Sequence, residues 1–144
     1  MATNPKRISL KSMTINQLSV LTEQFKELDD KNDFQVLLLT PFGFIKGDLH
    51  EIASEEELIQ KNPDQENQFS VDLSALITLR SNHIRKLEEE VSELKIVDNG
   101  AALNLKNVEV YKDLSQGPIM NTNQLIVFAD QVISFSLTPR HLSE

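Results

Sequence analysis

Cysteine and tryptophan are absent from these 144 residues, and the chain has only four glycines, five prolines and one tyrosine. Without cysteine there is no disulfide, no thiolate metal ligand and no cysteine nucleophile, which fits a reducing compartment. With so few glycines and prolines and 40% apolar residues, the chain belongs with globular proteins rather than disordered or fibrous ones. No apolar run approaches the roughly 18 residues that a membrane-spanning helix needs. Positive charge is also scarce. Fourteen Lys and Arg stand against 22 Asp and Glu, a net charge of -8. That balance disfavours broad binding to nucleic acid or to an anionic membrane, both of which need a basic surface. The opening residues MATNPKRISLKS are basic but lead into no hydrophobic stretch, unlike a secretory leader. The expectation is a cytoplasmic protein with no membrane association.

The length suits one domain over residues 1–144. Residues 1–12 read as a flexible tail. Thr14, with Gln17 three residues on, has the pattern of a capping box and opens a predicted helix over 14–29. Leu18, Leu21, Phe25 and Leu28 form its apolar stripe. A strand hairpin is predicted over 34–52. Its first strand is the apolar run Phe34 to Leu39, and Pro41 and Gly43 form the turn. The second strand alternates, with Ile45, Gly47 and Leu49 on one face and Lys46, Asp48 and His50 on the other. Gly47 within such a strand marks a bend or a close backbone approach.

A helical insertion is predicted over 53–99: a short helical turn, a flexible loop, then a helix over about 74–95. The stretch FSVDLSALITL is also able to begin as a strand, so that 70–79 stay open between the two. That helix carries Ile77, Ile84 and Val91 at one heptad position and Leu73, Leu87 and Leu94 at the other, with Arg80 as the polar member. Together with the stripe of the first helix, this seam reads as packing and assembly surface. The triplet Asp98-Asn99-Gly100 is a turn signal. Three strands then fill 100–138, with a loop from Asp113 to Asn123 around Gly117-Pro118 and the last two strands over Leu125 to Phe128 and Val132 to Leu137. The apolar phase shifts at Asn107, as a bulge requires, and the last two strands meet at a corner near Ala129-Asp130-Gln131.

Little in the chain points to catalysis. Gly43 and Gly47 lack the GK[ST] continuation of a phosphate loop, and a strand follows them rather than a helix N-terminus. His50, His83 and His141 lie in three separate segments with no helical partner at i+3 or i+4. The acidic triplets at 55–57 and 88–90 diverge around a helix and build no acid/base pair. The only local basic cluster is Lys6, Arg7 and Lys11. The chain therefore reads as a non-enzyme with no catalytic residue, metal or cofactor.

Three stretches carry a family resemblance. GFIKGDLHEI, ALNLKNVEVY and IVFADQVISFSL are similar to the two sequence motifs of Sm-like (LSm) proteins, over roughly 50 of the 144 residues. The resemblance implies an α+β fold: a small, strongly bent antiparallel five-stranded barrel of Sm-like or SH3-like type. An N-terminal helix precedes it, and a long helix is inserted between its second and third strands. It also implies assembly into a homo-oligomer through edge strands. RNA binding is the weaker implication. RNA-binding members carry an arginine–glycine pair where this chain has Phe128 and Ala129, and a stacking side chain where it has Ala101 and Ala102. Asn104 is what remains of that pocket, and a basic patch would have to be gathered from lysines such as Lys46, Lys106 and Lys112. The expectation is a non-catalytic scaffold or protein-interaction module that self-associates, with another protein as a further partner. The alternatives are an RNA-binding Sm-like protein and, after it, an enzyme whose site is assembled from residues distant in sequence.

Overall fold

The computed structural model describes residues 9–65, 67–95 and 100–140. Lys6, Arg7, the Asp98-Asn99 turn signal and His141 lie outside the described residues. Helix α1 spans Leu10–Leu28 and begins before the expected Thr14, because Ser9 takes the capping role and accepts from the Ser12 amide at 3.1 Å. Thr14 lies inside the helix and donates to the Leu10 carbonyl. The inward stripe is Ile15, Leu18 and Phe25, the last tilted against Phe34 with ring centroids 5.3 Å apart. Leu21 and Leu28 fall off that phase and are exposed.

Strand β1 (Phe34–Thr40) turns through Pro41 and Phe42 into β2 (Gly43–His50). The Thr40 hydroxyl accepts from the Phe42 amide and donates to the Gly43 carbonyl, which closes the turn. Gly43 has φ +143°, and a Cβ there would collide with the Tyr111 carbonyl. Later in the chain come β5 (Ala102–Tyr111), β6 (Met120–Phe128) and β7 (Ser134–Pro139). These five strands form one antiparallel sheet in the order β6-β5-β2-β1-β7. The core joins Ile15 and Leu18 of α1 to Val36, Leu38, Ile45, Leu103, Leu105, Val108 and Val127 of the sheet.

The barrel expected from the family resemblance is not there. Closure needs a ladder between the outermost strands, yet β6 pairs only with β5 and β7 only with β1. The helical turn Ala129–Gln131 carries the chain from one edge of the sheet to the other. Four strand spacings of about 4.8 Å separate those edges in a flat sheet, so this short connection requires strong curvature. The result is a curved, open sheet.

The segment between β2 and β5 also differs from the expected long helix. After a helical turn at Glu55–Glu57, β3 (Ile59–Lys61) and β4 (Phe69–Val71) form a separate two-stranded sheet where a flexible loop was expected. Asn67, at φ 70°, supplies a left-handed residue in the connection. Helix α2 covers only Ala75–Glu90. Its last turn holds Glu88, Glu89 and Glu90 with no basic residue, the wrong sign for a helix C-terminus, and Val91 is extended. Val91 and Leu94 therefore lie beyond the helix. Ile77, Ile84 and Leu87 are half-buried, and only Ala75 of α2 is fully buried. Arg80 donates to the Gly100 carbonyl at 2.8 Å, so the polar member of the heptads ties α2 to the approach to β5.

The irregularity expected at Gly47 and Asn107 is present as one feature. The β2–β5 register shifts between Lys46 and Asp48, so Gly47 faces the extra residue of a bulge, and Asn107 adopts φ 54°. A Cβ on Gly47 would lie 3.2 Å from the Lys106 carbonyl oxygen and 3.3 Å from Val108 Cγ2. Gly47→Val should therefore lower the unfolding free energy by about 1–3 kcal/mol, because backbone and a packed side chain occupy the space. Urea unfolding followed by circular dichroism measures this, and an unchanged midpoint would contradict the close approach.

Candidate assembly surface

Strand alternation gives the sheet two unlike faces. One is apolar and covered by α1. The other carries Gln35, Lys46, Asp48, Asn104, Lys106 and Gln124, three of which (Gln35, Lys46 and Asn104) are buried although polar. Buried polar groups need partners. Here they belong to two networks.

The first network centres on Arg140. Its guanidinium grips Asp48 with two bonds, of 2.6 and 3.0 Å, and donates through Nε to Asp33 at 2.7 Å. Asn107, held by the bulge, donates to the same Asp48 carboxylate at 2.9 Å. Lys46 donates to the Arg140 carbonyl at 2.9 Å, and the Arg140 amide donates to the Asp33 carbonyl. Burial alone would raise the Asp48 carboxyl. The bonds from Arg140 and Asn107, the charge of Arg140 and the amide of Gln35 outweigh it and hold the group below the usual carboxylate range. Arg140 moves the opposite way, raised by its bond to Asp48 against the effect of burial. This network fastens β7 across the polar face to β2.

The second network anchors the insertion. Asp72 accepts from the Ser74 amide and hydroxyl and from Gln124 Nε2, the last at 2.7 Å. Gln124 also donates to Asn104 and accepts from the Leu73 amide. The Ser74 hydroxyl accepts from the Ala53 amide, and Thr78 donates to the Ala53 carbonyl. Burial would raise Asp72 too, and the Ser74 and Gln124 bonds with the charge of Lys106 lower it overall.

The three residues expected at a nucleic-acid contact fall into these networks. Asn104 is 1% exposed, with its nitrogen on the Glu51 carbonyl and its oxygen on Gln124. Lys46 is 7% exposed and engaged by Arg140. Lys106 lies 3.6 Å from Asp72 and pairs across the ladder with Asp48. The structure brings them onto one face but does not gather them into a basic patch. Lys112 lies just beyond the end of β5, outside both networks. His50 ends β2 and His83 lies on α2, both exposed. Among the described residues no three His, Cys, Asp or Glu side chains converge as metal ligands, and no helix is long and apolar enough to cross a membrane.

Among the described residues no strand pairs with the outer side of β6 or of β7. Neither β6 (MNTNQLIVF) nor β7 (SFSLTP) contains a charged residue, in a chain that is 25% charged. Edge strands usually carry lysines or inward charges that block pairing with another chain. Phe128, Ile133 and Phe135, around the corner between these strands, are exposed. Sequence reasoning saw the strands and the corner. It could not see which strands would be outermost, nor the partners of Arg140, which lie 92 and 107 residues away in the chain.

Asp48 and Asp72, both depressed in the folded state, contribute stability that is complete above the unfolded carboxyl value of about 3.9 and is lost as pH falls through the folded values. The sign follows because the unfolded chain binds more protons there. Asp48→Asn should lose about 1.5–3 kcal/mol at neutral pH, the loss expected for bonds to a charged group. Its stability should also fall less steeply than the parent's between about pH 5 and pH 3. Denaturant titrations over that range decide it, and equal acid slopes in the two proteins would remove Asp48 from the account. No family model, no curated protein and no solved structure matches this chain.

Proposed function

We propose that this chain is a non-catalytic scaffold or protein-interaction module that self-associates through the two free edges of its five-stranded sheet. One observation carries the reading: both outermost strands are free of charge and end beside exposed Phe128, Ile133 and Phe135. Each edge offers a row of unpaired backbone donors and acceptors that a second strand satisfies. The β6 edge and the β7 edge are different surfaces. Pairing β6 of one copy with β7 of the next is therefore a head-to-tail contact, which yields a ring when the rotation closes and a filament when it does not. The Sm-like resemblance of the strand sequences agrees with this, since edge-strand assembly is what that resemblance implies. RNA binding has less support, because Asn104, Lys46 and Lys106 are each engaged within the chain.

Size-exclusion chromatography with light scattering tests the reading. The parent should elute as a multiple of the 16.3 kDa chain at micromolar concentration. Ile133→Lys with Phe135→Lys, which adds charge to an exposed edge, should reduce the mass toward that of one chain with thermal stability little changed. A monomeric parent, or an unchanged mass in the variant, overturns edge assembly.

A further inference from the structure

The β3–β4 hairpin is a second surface, separate in kind from the two edges. Its cross-strand pairs are Ile59 with Val71 and Lys61 with Phe69, so three apolar side chains share one face. Ile59 and Phe69 are each 60% exposed and Val71 54%, and every residue of the two strands is exposed. An isolated two-stranded hairpin is marginal in water and gains stability by packing on something. Among the described residues it packs chiefly on the Glu55–Glu57 turn. Leu73, two residues beyond β4, and Leu76, in the first turn of α2, are also exposed.

Charge says what can cover this face. From Glu51 to Asp72 the sequence holds seven carboxylates and one lysine, three quarters of the net charge of -8. Glu55, Glu56 and Glu57 of the turn that packs on β3, and Asp64 in the β3–β4 connection, are exposed, and Lys61 is the one positive group on the face itself. Such a rim repels nucleic acid and the anionic surface of a membrane. It also disfavours the same hairpin of a second copy. The complementary occupant is a protein segment with apolar anchors flanked by lysines and arginines, for which the acidic rim gives steering and the apolar centre gives affinity. We propose that the β3–β4 hairpin, through Ile59, Phe69 and Val71 within its acidic rim, is a docking face for a basic amphipathic segment of a partner protein.

Fluorescence anisotropy of the full chain with a labelled 14-residue amphipathic peptide of leucine and lysine tests this. The same peptide with glutamate in place of lysine serves as the control probe. The basic peptide should bind and the acidic one should not. Phe69→Ser with Val71→Ser should weaken binding at least about tenfold, since each lost anchor accounts for a large share of affinity. These residues are exposed, so circular dichroism and the melting temperature should stay unchanged. Glu56→Lys with Asp64→Lys keeps the apolar face and should both weaken binding and flatten its salt dependence. Glu88→Gln, Glu89→Gln and Glu90→Gln remove charge from α2 and should change binding less than about threefold. Equal binding by the serine variant overturns the proposal. So does an equal loss in the α2 variant, which would reduce the effect to net charge. If the serine variant instead lowers the oligomer mass, the face belongs to self-association and partner docking is wrong. The midpoint of the anisotropy titration, unlike its amplitude, does not depend on oligomer mass, so a loss of docking is distinguishable from a failure of edge assembly.

Discussion

The bulge where Gly47 meets Asn107 and Val108 is the constraint on which the rest of the sheet depends. At the bulge a side chain at position 47 would press on the Lys106 carbonyl and on Val108, and glycine removes it. The extra residue on β5 is absorbed by Asn107 in a left-handed conformation, which an asparagine tolerates better than most residues. That conformation delivers the Asn107 amide to Asp48, and Asp48 is the carboxylate that Arg140 grips. A local irregularity of backbone thus orients the ion pair that fastens the last strand. The bulge also increases local twist, in keeping with the curvature that the short Ala129–Gln131 connection demands.

The two faces of the sheet are stabilised by different physics. On the α1 side, Ile15, Leu18 and the inward aliphatics of β1, β2 and β5 contribute by burial, about 25 cal/mol per Å² of apolar surface. On the opposite side the polar groups are partly buried, and their bonds and charges outweigh the effect of burial on Asp48, Asp72 and Arg140. That face adds specificity more than energy. It fixes β7 beside β1 and fixes the insertion beside β6 through Gln124. The insertion itself contributes little to the main core. It carries the exposed β3–β4 face at one end and a helix with a single fully buried residue, Ala75, at the other.

Local chemistry was legible in the sequence, and long-range pairing was not. Pro41 and Gly43 marked the hairpin, Gly47 and the phase shift at Asn107 marked the bulge, and Ala129-Asp130-Gln131 marked the corner, because each is a property of a few neighbouring residues. The heptads of the insertion misled. Val91 and Leu94 continue the pattern, but three glutamates at the helix end work against the dipole, and the seam has no facing helix to bury it. β3 was hidden because two of its three residues, Gln60 and Lys61, are polar, whereas β4 begins the stretch that the sequence left open between helix and strand. Closure into a barrel depends on whether β6 and β7 pair, which neither strand's own sequence encodes; of β6 only Leu125 to Phe128 read as strand, and Met120 to Asn123 read as loop. Asn104 and Lys46 looked like candidates for a binding site because their types suit one. Their partners, Glu51, Gln124 and Arg140, come from other elements and consume that capacity.

A curved sheet with two uncharged outermost strands, pinned internally by Arg140, makes sense as a unit that adds copies of itself at both ends. Hydrogen–deuterium exchange at two protein concentrations tests that most directly. The account predicts that amides in Met120–Phe128 and Ser134–Pro139 gain protection as concentration rises, while those of Phe34–Thr40 and Gly43–His50, already paired on both sides, stay unchanged. Edge-strand protection that is independent of concentration, in a protein of single-chain mass, would contradict it.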